Sequence, residues 1–202
     1  MSAALFPAEH LAVTEARESE FHPTPLDVVA AFLRGVHEPL PLDVCAETAM
    51  GEGALVRHVN ALVPCPRRVW FGLELRAEAL ARLNVVGASI SVARGDFLAG
   101  AGAYPEHATA LTNPPWSRAM EWAEESLRRA NGRGVVALHV PLATVETPER
   151  VAFFRKHPAD LYPLEWRPNY DGRGSIGRAV AWLVWGPGRG GRWRPLTRTE
   201  QS

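Results

Sequence analysis

Apolar positions along the chain recur with two periods. In "PTPLDVVAAFLRGVH", Leu26, Val29, Ala30 and Leu33 return every three or four residues, which lays them along one face of a helix. Thr24 is placed to cap that helix, and Pro25 to take its first position, where a missing backbone donor does no harm. The pattern then becomes short apolar runs alternating with helical stretches: "PLDVCA", "GEGALVRHVNAL", "RRVWFGLEL", "AEALARLN", "SISVARGD", "ATALTNPP", "SRAMEWAEESLRRA" and "GRGVVALHVPL". Met120, Ala123, Leu127 and Ala130 share a face of the helix that begins near Ser117. Continuous apolar strands separated by helices are what a parallel sheet covered on both faces requires, so the chain predicts a doubly wound α/β architecture. The last third differs: "ADLYPLEWRP" and "RAVAWLVWGPG" read as two strands joined by a loop, and predict an antiparallel pair.

Composition sets the bounds. With 202 residues and 47% hydrophobic content the chain fits one compact unit. Residues 1–20 are polar and lack periodicity, predicting a loose arm. Residues 21–188 hold the elements, and the glycine- and arginine-rich close predicts a flexible basic tail over residues 189–202. The formal charge is zero, but it is unevenly spread. Acids dominate residues 1–50, whereas Arg167, Arg173, Arg178, Arg189, Arg192, Arg194 and Arg198 face only Asp171 near the C-terminal end. Those arginines suit either an anionic partner or plain solubility. Cys45 and Cys65 have neither metal-ligand spacing nor a pairing pattern, which argues against a zinc site and a disulfide framework. No leader-like start or long apolar span occurs, so the expectation is a soluble cytoplasmic protein.

Candidate chemistry falls at the strand ends, where such sheets bind ligands. After the first strand comes "ETAMGEG", an acid at Glu47 leading into a turn with Gly51 and Gly53. Glycines there allow close backbone approach to a ligand, although a plain strand-to-helix turn uses them too. The second strand ends at Glu74, where an acid can accept from both hydroxyls of a ribose. The third leads to Asp96, placed to accept from an adenine amino group. The fourth ends in Asn113-Pro114-Pro115-Trp116. Two successive prolines fix two φ angles and remove two donors, making a stiff corner. An exocyclic amine is a poor nucleophile because its lone pair is delocalised into the ring. The Asn113 amide oxygen and the Pro114 carbonyl could both accept its protons and direct the lone pair, with Pro115 supplying rigidity and Trp116 stacking on the base.

On these residues the chain resembles the class I S-adenosylmethionine-dependent methyltransferases, specifically the amino-methylating, adenine-specific DNA enzymes, many of them encoded by phages or restriction-modification systems. "NPPW" is similar to that family's catalytic corner, and "FHPTP" to the segment preceding its first strand. The resemblance implies a Rossmann-like fold and S-adenosylmethionine held by Phe21, Thr24, Glu47, Gly51, Gly53, Glu74, Asp96 and Asn113. It implies catalysis by Asn113, Pro114, Pro115 and Trp116. "RPNYDGRGS" is similar to the segment in which an aromatic, here Tyr170, stacks on a flipped target base, with Arg173 and Arg178 beside it for phosphate contacts. No metal is implied. Thr48 and Met50 depart from the family's pattern, and no long insertion could serve as a separate target-recognition domain. The same corner occurs in enzymes that methylate RNA bases or a protein glutamine, and an inactive nucleic-acid-binding protein could retain the fold. The histidines form no recognisable site, and His22 and His139 read as local hydrogen-bonding residues.

Overall fold

The computed structural model describes residues 22–170, 174 and 177–198. The expected N-terminal arm, Phe21 and Arg173 lie outside them. The described chain runs α1 (Leu26–Gly35), β1 (Val44–Glu47), α2 (Ala54–Leu62), β2 (Val69–Glu74), α3 (Ala77–Ala81), β3 (Ser89–Arg94) and β4 (Thr109–Thr112). It continues through a 3-10 turn (Trp116–Arg118), α4 (Ala119–Ala130), β5 (Val135–Pro141), α5 (Pro148–Lys156), β6 (Asp160–Pro163) and β7 (Val180–Trp185). The strands form one sheet in the order β3-β2-β1-β4-β5-β7-β6. The five strands β1 to β5 pair in parallel, whereas β7 enters antiparallel between β5 and β6. No helix among the described residues is long and apolar enough to cross a membrane.

The central strands are almost wholly buried because the sheet separates two cores. Successive side chains of a strand point to opposite faces. Accordingly Cys45, Leu111, Ala137, Trp182 and Val184 enter one core, with Phe32 of α1 stacked 4.2 Å from Trp182. Ala46, Ala110, Leu138, Leu183 and Trp185 enter the other, against α4.

Helices α1 and α4 form where expected but turn different faces inward. In α1 the buried residues are Val28, Val29, Ala31 and Phe32, and Leu26 is exposed. Its cap position falls on Pro25 with no side-chain cap bond, and Thr24 is buried just outside the helix. In α4 the buried set is Ala119, Trp122, Ala123, Ser126 and Ala130, leaving Met120 and Leu127 half-buried. The large Trp122 ring sets this rotation by stacking on Phe97 at 5.1 Å.

Two further departures are informative. Residues 95–108, between β3 and β4, contain no helix, and β3 is largely exposed at the sheet edge. Arg129 of α4 takes over the fastening role that a helix would have there. Its guanidinium donates to the carbonyls of Phe97, Ala101 and Gly102 and lies 4.2 Å over the Phe97 ring. At the other edge, residues 189–198 are docked rather than loose. Arg194 N donates to Leu161 O at 3.0 Å and Leu196 N to Pro163 O at 2.8 Å, a parallel ladder beside β6. Leu196 is 2% exposed within the first core, and Arg192 pairs with Glu38 at 2.7 Å. In residues 189–198 one apolar anchor and a buried Asp160, which accepts from Gly190 N and Arg192 N, hold a glycine-rich segment in place.

Candidate functional site

Strand order reverses at β1, which lies between β2 and β4, and the crevice beyond the strands' carboxyl ends is the expected ligand position. A cleft opens there. Glu47, Glu74, Asp96 and Asn113 line it together, with Thr24 contributed by the segment before α1. Residues separated by up to 89 positions therefore meet at one end of the sheet because each ends or borders an element.

The turn after β1 is shaped by its glycines. Gly51 and Gly53 adopt φ of 54° and 82°, a left-handed region that disfavours side chains. A Cβ on Gly53 would also sit 2.5 Å from Val85. Neither glycine lines the cleft by itself; they turn the backbone so that Met50 and Glu52 do. Met50 has room because residue 72 is glycine: a Cβ there would lie 2.5 Å from its sulfur. Thr48, the other unusual residue of this loop, accepts from the Trp122 indole at 3.0 Å.

The acids differ in how they are held. Glu74 accepts from Gly51 N at 2.7 Å and from the Arg76 backbone and guanidinium, each at 2.9 Å, which ties the β1 turn to the end of β2. Asp96 accepts from Leu98 N at 2.9 Å. Glu47 is 2% exposed, and burial pushes its carboxyl up to about 8. One of its oxygens accepts from the Thr112 hydroxyl of β4 and from Ala49 N. Among the groups around it, Thr112 is thus a functional neighbour that sequence reading passed over. Leu75 and Phe97, each following a strand-end acid, supply apolar wall, and Arg76, Arg118 and Trp122 complete the rim.

The corner after β4 is clamped on both sides. The Asn113 amide nitrogen donates to the His22 carbonyl at 2.7 Å, and its oxygen accepts from the Trp116 indole at 3.0 Å. Pro115 borders the cleft, whereas Pro114 is buried behind it. Trp116 sits behind Asn113, its ring 4.8 Å from His22 and 5.6 Å from Tyr170. Tyr170 is only 6% exposed, and its hydroxyl meets His139 Nε2 at 2.5 Å. In this state it belongs to an aromatic cluster beside the corner. Arg178 is solvent-exposed.

The chain matches no protein-family model and no curated protein. Among solved structures it is similar to the type I restriction-modification methyltransferase subunit of Streptococcus thermophilus, at 18% identity and a TM-score of 0.67 over 93% of this chain and 50% of that one. The chain spans half the length of that subunit. It is also similar to a Listeria monocytogenes protein described as a class I S-adenosylmethionine-dependent methyltransferase, at 14% identity and a TM-score of 0.62 over 93% of this chain and 71% of that one. DrdV in complex with DNA shares 13% identity, with a TM-score of 0.61 over 93% of this chain and 28% of the other. These likenesses give the chain the fold of the Rossmann-like, class I methyltransferases.

Proposed function

We propose that the cleft binds S-adenosylmethionine and that the chain transfers its methyl group to the exocyclic amino group of adenine in DNA. The observation that carries this reading is the Asn113 amide, fixed at the end of β4 and lining the same cleft as the three strand-end acids. The cleft's chemistry suits the group. Glu74 and Asp96 offer carboxylates to a cationic ligand and a ribose diol, and Leu75 and Phe97 offer an apolar slot for a purine.

S-adenosylmethionine supplies a methyl group on a positively charged sulfur, an electrophile that needs only a correctly aimed lone pair. The chain's contribution is to aim it. Asn113 Oδ1 has two lone pairs, and the Trp116 indole takes one. The second would accept a proton of the incoming amine and so aim its nitrogen lone pair, with Pro114 and Pro115 keeping the corner rigid. Bound there, S-adenosylmethionine would give up its methyl group with the C–S electron pair returning to sulfur, and the surplus amine proton would leave to water. Since the amide is held before the substrate arrives, little reorganisation accompanies the step. A histidine base is unnecessary, in keeping with His139 being buried against Tyr170.

Likeness to a restriction-modification methyltransferase subunit and to a protein solved with DNA supports a nucleic-acid substrate. Exposed Arg178 and Arg194 add cations that a phosphate backbone would meet. The test is transfer of labelled methyl groups to unmethylated duplex DNA, total RNA and a protein extract, followed by mass spectrometry. Methyladenine in DNA is the expected product. Label in RNA or in glutamine would reassign the substrate, and absence of both label and cofactor binding would point to a binding protein that retains only the fold.

A further inference from the structure

His139 stands in the middle of β5, a strand otherwise built of valine, alanine, leucine and proline, and is completely buried. An imidazole in such a place is costly unless it serves a partner. Its cross-strand neighbour is Trp182, whose ring lies 4.8 Å away, and its Nε2 meets the Tyr170 hydroxyl at 2.5 Å. Burial pushes the imidazole down to about 3 and the phenol upward, which favours the neutral form of both partners.

Tyr170 carries the connection outward. Its ring stands at 81° to Trp116, edge against face, and 5.5 Å from His22. Trp116 in turn donates to Asn113, and His22 accepts from it through its carbonyl. A continuous set of contacts therefore joins the floor of the sheet to the amide that lines the cleft.

We propose that His139 is a positioning residue for methyl transfer: by holding the Tyr170 hydroxyl, it fixes the Tyr170 ring against Trp116, and so steadies the indole that holds the Asn113 amide at the cleft. This rests on the reading that a planar amine is the substrate. His139 touches neither cofactor nor substrate; it acts through Tyr170.

The test compares wild type with His139→Phe, His139→Gln, Tyr170→Phe and the His139→Phe/Tyr170→Phe double variant. S-adenosylmethionine affinity is measured by calorimetry, transfer by label incorporation into unmethylated duplex DNA, and folding by thermal melting. The expected result is a tenfold or greater loss of kcat in His139→Phe and in Tyr170→Phe, with no further loss in the double variant. Cofactor Kd stays within twofold, and His139→Gln, which can still reach the hydroxyl, recovers most of the rate. Full kcat in His139→Phe, multiplied losses in the double variant, or cofactor affinity falling in step with kcat would overturn the proposal. Should His139→Phe fold poorly, Tyr170→Phe deletes the same bond by removing one oxygen, and unchanged kcat there overturns it equally. A wild type that binds cofactor but methylates no DNA overturns the substrate reading and this proposal together; an active wild type with an equally active His139→Phe overturns this one alone.

Discussion

The indole nitrogen of Trp116 donates to Oδ1 of Asn113 across 3.0 Å, three residues along the same corner. With the His22 carbonyl holding the other end of the amide, neither rotation nor an amide flip is available without breaking a hydrogen bond. Replacing Asn113 by alanine removes the acceptor and leaves the corner's backbone in place. Transfer to DNA is expected to fall about 100-fold or more, the scale seen when one preorganised polar group is deleted from an active site. Cofactor affinity, read by calorimetry, should change by less than about threefold, since the acids on β1 and β2 remain. Near-normal turnover would remove Asn113 from the chemistry.

Glu47 makes stability depend on pH in an unusual direction for a carboxylate. Burial raises its folded value to about 8, well above the value of about 4.3 for an exposed chain. Between these values the folded protein retains a proton that the unfolded chain has released. Folding binds protons there, so the contribution of Glu47 is most favourable below the unfolded value and is lost as pH rises toward the folded one. Glu47→Gln, which cannot ionise, should show a flatter melting temperature from about pH 5 to about pH 8 than wild type. Parallel curves for the two proteins would contradict the assignment.

Arg129 is 12% exposed and fastens the segment carrying Asp96 and Phe97 through three carbonyls. Its charge is balanced by Glu125 at 2.6 Å. Arg129→Ala should destabilise the protein by about 2–3 kcal/mol, given the strength of hydrogen bonds to charged groups. It should also weaken S-adenosylmethionine binding severalfold although Arg129 does not border the cleft. Urea denaturation and calorimetry on the same preparation separate the two effects.

Much of the site was legible because its signals are local. An acid at a strand end, glycines in the turn after β1, and two prolines between Asn113 and Trp116 each announce themselves within a few residues. What escaped depends on distant partners. Thr112 matters only because β4 lies beside β1, and the bond between Tyr170 and His139 joins residues 31 positions apart. Tyr170 therefore read as a base-stacking residue, and its buried anchorage could not be anticipated. The helix α5 was passed over because it buries no residue fully, although Thr147 accepting from Arg150 N and Pro148 at the first turn are ordinary start signals.

The closing segment illustrates the same limit. Glycine and arginine outnumber apolar residues there, yet Leu196 closes the first core next to Gly35, where a Cβ would lie 2.2 Å from its side chain. Leu196→Ala should lower stability by about 2–4 kcal/mol, as for other buried leucines. Chemical denaturation provides the measurement, and a loss under about 0.5 kcal/mol, the range of surface substitutions, would mean that the segment contributes little to the core.

The uneven cover of the sheet also divides the cleft mechanically. Its Asn113 side rests on β4 and β5, buried along their whole length, whereas its Asp96 side hangs from an exposed edge strand and a helix-free connection fastened by one guanidinium. Segments with little burial open locally at far lower free energy than core strands. The cleft thus joins a stiff jaw at Asn113 to a jaw at Asp96 with far less buried support.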